Sequence, residues 1–317
     1  MTCQSCCGAL TRHGYHRNGL QRFCCSQCGR TYTEPHAQAF RVEMHLEDER
    51  GLLAIRLLCE GSSVRTTERL TGLHRNTILH LLTIAGGRCE SLLEKRVRSV
   101  PVQDVQCDEL WGFVYKKRAN RRGDEERFAY IGDAWCFVGI ERRTKLVLAY
   151  ELGKRTVTSA VRFMEKLATA TDAEQRFQLT TDGQNAYNYA VGTVLGDRVD
   201  YAQLIKIYKL DVPEDARRYS PPKLAEAIPT PVYGDPDEQR ISTSHVERQN
   251  LTMRMCIRRL TRLTNGFSKK WENLRAALAL HFAYYDFCRV HGTIRTTPAV
   301  KAGITDHVWR LEELLNG

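Results

Sequence analysis

The stretch VQDVQCDELWGF, residues 102–113, decides how the rest of the chain is read. Its alternation of apolar and polar positions predicts a strand, Val102–Phe113, and it sets Asp108 in mid-strand. A carboxylate in an otherwise buried sheet needs a reason to be there. Working outward, Tyr130–Glu141 is apolar and β-rich, Arg142–Lys145 makes a turn, and Leu146–Leu152 completes a meander. Helical spacing follows over Thr156–Ala170, carried by Val157, Val161, Met164, Leu167 and Ala168. Phe177–Thr181 is a short apolar strand that runs into Asp182-Gly183; a helix (Ala186–Leu195) and a strand (Tyr201–Ile207) come next. Lys209–Arg240 holds six of the nine prolines and reads as an irregular insertion or mobile loop. Residues 243–263 resume as a helix, and Trp271–Val290 forms another.

Three strands, helix, strand, helix, strand is the order of an α/β, ribonuclease-H-like fold. In that order the ends of the first and fourth strands are neighbours and a late helix packs beside them. Asp108, Asp182 and Glu247 can therefore converge, with Asp133, Glu109 and Glu141 as rival acids in the same sheet. Convergent carboxylates repel one another, and divalent cations relieve that cost. Two Mg²⁺ ions, with Mn²⁺ as a substitute, suit sparse oxygen ligands and support in-line displacement at a phosphodiester. On the late helix, Ser244, Glu247, Asn250 or Leu251, and Arg254 share a face, which puts Asn250 and Arg254 beside the metal site to hold substrate phosphate. Arg248, Arg258, Arg259 and Arg262 follow Glu247 with no intervening acid and read as further phosphate contacts. Trp111 reads as a core residue, with stacking on an unpaired base as the lesser alternative.

Upstream, Cys3-x2-Cys6 and Cys25-x2-Cys28 are separated by eighteen residues, the spacing of a four-thiolate zinc site. So short a segment cannot bury enough apolar surface to fold unaided, so metal binding would supply its folding energy. Gly8 and Gly29 follow the two knuckles, where a tight turn favours glycine. The six later cysteines sit in apolar or helical contexts and read as buried thiols. Residues 47–86 read as three short helices, with Thr71-Gly72-Leu73-His74 turning the second into the third. That is a helix-turn-helix arrangement, in which Arg75, Asn76 and His80 would read base edges. The expected organisation is a zinc ribbon over 1–38, a helix-turn-helix domain over 45–96 and a catalytic domain over 100–270. The last of these carries a Pro-rich insertion at about 209–241, and a helical extension over 271–317 follows.

The chain resembles the IS1 family of insertion-sequence transposases. The likeness is carried by Asp108-Glu109-Leu110-Trp111-Gly112, Thr181-Asp182-Gly183, and the run from Val246 through Glu247-Arg248-Gln249-Asn250 to Arg254. Gly266-Phe267-Ser268-Lys269 extends it, and Tyr285–Ala299 resembles the end of many integrase-like transposases. The span between Asp182 and Glu247 is longer than in compact members of that family. What the resemblance implies is a DDE-type site with Asp108 first, Asp182 second and Glu247 third. The expected partners are the terminal inverted repeats of an insertion element and target DNA. Two element ends must be handled together, so at least a homodimer is expected.

Composition agrees with that expectation. Forty-seven basic against 37 acidic residues leave a net charge of +10, about +5 of it in residues 1–100 and about +6 in 244–317, with a near-neutral middle. Basic zones flanking a balanced centre suit a polyanionic partner. No run approaches the roughly 18 apolar residues that span a bilayer, and the opening residues do not read as a secretion signal. A cytoplasmic, nucleoid-associated protein of a prokaryotic cell with no membrane partner is expected. Two other classes compete. A domesticated, non-catalytic regulator would keep the DNA-binding modules without needing the three carboxylates. A tyrosine recombinase would need a His-x-x-Arg, and His291-x3-Arg295 near Tyr284 and Tyr285 has the wrong spacing.

Overall fold

The computed structural model describes residues 2–3, 5–15, 21–33, 48–121, 123, 128, 130–208 and 224–316. It divides into two compact units, one over Met1–Asp48 and one over Glu49–Leu315. The first holds three antiparallel strands in the order β1 (Leu10–Tyr15), β2 (Gln21–Cys25), β3 (Thr31–Thr33).

The second unit is built on a six-stranded mixed sheet. Its strands are β4 (Asp104–Val114), β5 (Gly132–Glu141), β6 (Val147–Gly153), β7 (Phe177–Asp182), β8 (Val199–Tyr208) and β9 (Leu224–Tyr233). Their order across the sheet is β6-β5-β4-β7-β8-β9. β4 runs parallel to β7 and β7 to β8; the other pairs are antiparallel. Leaving out β9, the order resembles the sheet of the ribonuclease-H-like fold, a three-stranded meander whose first strand is joined by two parallel strands. The β5–β6 turn is drawn tight by Glu141, whose Oε2 accepts from the Thr144 backbone N–H at 2.5 Å and from its hydroxyl at 2.6 Å.

The Pro-rich span departs from expectation. Residues 209–223 lie outside the described residues, but 224–233 is a regular strand that pairs with β8, Pro229 opposite Leu204 and Pro231 opposite Ala202. Proline is tolerated there because β9 is an edge, where a missing N–H need not break a ladder.

One face of the sheet is covered by α4 (Val157–Ala170) and α5 (Asn185–Val194), which bury Phe163, Met164, Leu167 and Tyr187. Phe137 on β5 packs against both, its ring 5.9 Å from Phe163 and 6.2 Å from Tyr187. β4 contributes Cys107 and Glu109 to this face and Asp108 to the opposite one, where α6 (Ser244–Cys256) lies. α6 ends at Cys256, seven residues short of the expected helix. Thr261 Oγ1 donates to the Arg254 carbonyl at 2.9 Å, capping a last-turn acceptor with a side chain rather than with another helical turn.

α1 (Asp48–Cys59), α2 (Val64–Thr71) and α3 (Arg75–Arg96) belong to the same compact unit as the sheet. α3 crosses α7 (Trp271–Phe287) so closely that a Cβ on Gly86 would stand 2.5 Å from the Cα and Cβ of Ala276. α7 is apolar nearly all round, as expected of a helix enclosed on several sides. Its buried Asp286 accepts from the Val147 N–H at 3.0 Å, tying the helix to the start of β6. Short helices α8 (Pro298–Lys301) and α9 (Leu311–Asn316) complete the fold. Among the described residues no helix is long and apolar enough to cross a membrane.

Candidate active site and cysteine cluster

Asp108 and Asp182 meet because β4 and β7 run parallel in register. Gln106 stands beside Thr180, so two residues on the two aspartates stand side by side on one face. Glu109 joins them: carboxylate oxygens of Asp108, Glu109 and Asp182 all lie within 4.8 Å of one another. Burial and the charge of Asp182 push Asp108 up to about 6. The same two causes push Glu109 up to about 8 against the pull of Arg155, and burial also raises Asp182. Three largely buried acids whose charged forms are disfavoured make a site short of positive charge.

Two cations answer part of that demand. Arg155 stands 3.4 Å from Glu109 Oε2 and 3.9 Å from Asp182 Oδ2, with its guanidinium 4.7 Å over the ring of Trp135. Lys206, on β8, pairs with Glu247 and donates to Thr243 Oγ1 at 2.9 Å, and its charge also lowers Asp108 and Asp182. Glu247 itself stands in the first turn of α6, its side chain 47% exposed. It is absent from the tight three-acid cluster but close enough for its charge to raise Asp108. Asn250, one turn on, reaches the site directly, its Nδ2 donating to Asp108 Oδ2 at 2.8 Å. Its Oδ1 is buried without a partner, an acceptor left over beside the cluster.

Helical spacing put Arg254 on the same face, but its side chain turns elsewhere. It donates to the carbonyls of Leu260 (3.0 Å) and Trp111 (3.3 Å), clasping the segment after α6 to β4. Arg259 is likewise drawn inward, donating to Ser268 Oγ at 3.2 Å. Burial lowers both guanidinium pKa values to about 10. Arg248, Arg258 and Arg262 are exposed. Trp111 is half-buried, 5.8 Å from the Phe113 ring, with the Lys117 ammonium over both.

Arg155 and Lys206 were not anticipated from sequence, although each left a trace. Arg155 precedes Thr156, the N-cap of α4, where the helix dipole disfavours a cation. Lys206 interrupts the apolar run Leu204-Ile205-Lys206-Ile207 within a strand.

In the first unit the sulfurs of Cys3, Cys6, Cys25 and Cys28 lie within 4.8 Å of one another. Cys3 is 3.6 Å from Cys28 and Cys6 is 3.4 Å from Cys25. A tetrahedral ion with ligands at about 2.3 Å needs sulfurs about 3.8 Å apart, so the set fits zinc. The two knuckles repeat one backbone pattern. The Cys7 N–H donates to the Cys3 carbonyl and that of Gly29 to Cys25, while Cys3 donates to Gly8 and Cys25 to Arg30. The left-handed position in each is therefore Cys7 (φ 58°) and Gly29 (φ 69°), not Gly8. Gly8 is small for another reason: a Cβ there would stand 3.1 Å from Cys25 Sγ and closer still to Gln27. As free thiols the four share protons unevenly: hydrogen bonding to Tyr32 holds Cys3 down at about 6, while Cys25 and Cys28 push Cys6 up to about 12.

Between α2 and α3 the chain turns over 72–74, with Gly72 in the left-handed conformation (φ 68°). Arg75, Asn76 and His80 are exposed on α3; Asn76 and His80 lie away from buried Ile78, Leu81 and Leu82, whereas Arg75 stands on the same side as Leu82.

No protein-family model and no curated protein matches the chain. Among solved structures it is similar to Mos1 transposase in a pre-cleavage transpososome, at 13% identity and a TM-score of 0.21 over 50% of this chain and 60% of that one. It is similar to the Mos1 strand transfer complex at 17% and 0.22, over 50% and 59%. A synaptic complex of piggyBac transposase with hairpin DNA matches at 12% and 0.30, over 82% of this chain and 57% of that one. The chain thus spans about 60% of the length of these neighbours. At such TM-scores they add nothing to what its own sheet order and side chains say.

Proposed function

We propose that the chain is a DDE-type DNA transposase of the kind the IS1-like motifs imply. It would bind the terminal inverted repeats of an insertion element, hydrolyse the phosphodiester there and join the freed 3′-hydroxyl ends to target DNA. The observation that carries this reading is the convergence of Asp108 and Asp182 on adjacent parallel strands, with Glu247 and Asn250 brought alongside on α6. All-oxygen donors, raised acids and an unused buried acceptor suit Mg²⁺ or Mn²⁺. Divalent cations held by Asp108, Asp182 and Glu247 would activate the attacking oxygen and stabilise the leaving one.

The side chains of this chain have defined parts. Asn250 holds the Asp108 carboxylate in orientation. Lys206 occupies Glu247 and must release it before that acid can serve as a ligand. Arg155, anchored by Glu109 and Trp135, stands where it can meet a scissile phosphate. The four cysteines hold one structural Zn²⁺, and the segment 48–96 serves as a helix-turn-helix reader of element ends. Handling two ends together calls for at least a homodimer, working on the nucleoid of a prokaryotic cell.

Asp182→Asn tests the assignment. The variant should lose nicking and strand transfer by at least about a thousandfold and bind end DNA as well as wild type. Undiminished strand transfer by the purified variant would sink it.

A further inference from the structure

The α/β unit carries two clefts of similar size, about 700 and 710 Å³, one balanced in charge and the other basic. The first, walled by α3, β6, α4 and α7, mixes acids with bases, and they pair: Arg275 with Glu90 at 2.9 Å and Lys166 with Glu151 at 2.6 Å. The second lies among the α1–α2 turn, the openings of α2 and α3, and the segment that follows α6. Arg65, Arg75, Arg258, Arg259 and Lys269 line it, and no Asp or Glu does.

Nothing in the fold explains five cations gathered there. Among the described residues, the side chains of Arg65, Arg75, Arg258 and Lys269 have no carboxylate or hydrogen-bond partner. Arg259 uses one nitrogen on Ser268 and leaves Nη2 buried and unsatisfied. On the same lining His281, 4% exposed, also has a buried Nε2 without a partner. Buried polar groups are normally satisfied, so the unpaired Arg259 nitrogen and the open imidazole nitrogen of His281 mark the floor of the cleft as under-satisfied. The cleft is also preformed. Gly61 (φ 82°) lets the α1–α2 turn rest on the end of α6, where a Cβ would stand 2.5 Å from the Met255 carbonyl oxygen. Leu79, Leu82 and Leu280 add apolar lining that suits the sugar faces of a nucleic-acid strand.

We infer that this cleft is a DNA-backbone site, separate from the carboxylate cluster, which grips the phosphodiesters of the element-end duplex. The inference rests on the transposase reading above. It unites residues that sequence spacing had kept apart. Arg75 was expected to read a base, and Arg258 and Arg259 were expected beside the metal site. All three line one cleft and contact phosphate. Such contacts set register and affinity and carry no sequence information.

The test uses the full chain and fluorescein-labelled duplexes of about three helical turns, one of mixed sequence and one from the flanks of the gene. Binding is followed by anisotropy from about 50 to about 200 mM KCl. The exposed pair Arg65→Ala/Lys269→Ala should weaken both duplexes equally, by about tenfold or more. The slope of log affinity against log salt should become shallower by about 2. Arg258→Gln alone should remove about half of that, which guards against a folding defect in the double variant. Arg98→Ala/Arg162→Ala, at the balanced cleft, should change neither affinity nor slope. Unchanged affinity and slope in the double variant, with wild type binding normally, overturns the inference and leaves the transposase reading intact. Weakening on one duplex only shows base reading and also overturns it. A wild-type chain that binds neither duplex overturns the transposase reading and takes this inference with it.

Discussion

The two units of this chain are held together by different physics. The described residues of 2–33 have almost no apolar interior: β1 is exposed along nearly its whole length, Tyr15 is 72% exposed, and the buried side chains among them are Cys3 and Cys25 of the four-cysteine cluster. The Glu49–Leu315 unit buries whole aromatic rings, among them Phe137, Phe163, Tyr187 and Phe282. Its carboxylate cluster is a local strain that so large a core can tolerate. The difference teaches which bound metal is needed for folding. A segment without a core depends on its ligands to have a structure, whereas a unit with one can hold repelling acids in place and leave a metal free for chemistry.

Chelation exposes the contrast most strongly. Stripping metal from the whole chain should abolish amide protection over residues 2–33, since zinc contributes on the order of 10–16 kcal/mol to such modules. The melting of the 49–315 unit should hardly change. Coupled loss of both units on chelation would break the contrast.

A steric change should act in the opposite place. Gly86→Val drives a branched side chain into the Ala276 backbone, with no flexible neighbour to yield. It should cost the larger unit about 3 kcal/mol in urea unfolding, with zinc stoichiometry unaltered.

The larger unit should also respond to acid through His281, whose pKa burial and the nearby Arg289 charge lower to about 3. The unfolded chain takes up a proton near the ordinary value of 6.5, whereas the folded one resists it. The contribution of His281 to stability is therefore full above that value and falls as pH drops, by about 2 kcal/mol between pH 7 and pH 5. Buried Asp286, whose pKa is raised, slopes the other way. The reading is thus the difference between wild type and His281→Gln across that range, and identical pH profiles would refute it.

The smallest effect sharpens the knuckle symmetry. Cys7→Gly relieves a left-handed residue and should stabilise the zinc-bound module by up to about 1 kcal/mol. Cys6→Ser, one position earlier, should lose the metal.

Much of this was legible in the sequence, and what was hidden has a physical pattern. Strand alternation and helical spacing located the meander, β7, β8 and the helices between them. Periodicity reports which face a residue occupies, and that was enough for Asp108 and Asp182, whose short side chains go where the backbone points. It was also enough for Asn250, one turn from Glu247. It failed for Arg254, whose long side chain turned back to two carbonyls, and for Glu109, which reaches the cluster from the other face of the sheet. β9 stayed hidden because proline content reads as loop, and only its place at the rim of the sheet makes two prolines acceptable. Arg155 and Lys206 come from elements distant in sequence, so their meeting is a property of topology alone.

That rim has a further consequence. Pro229 and Pro231 are two residues apart, so their nitrogens point the same way, outward from the last strand. A strand from another molecule laid against β9 would find two successive donors missing and could not zip on. The described sheet is thereby closed to growth at this border, and any copies of the chain that did associate would have to do so through surfaces other than this one.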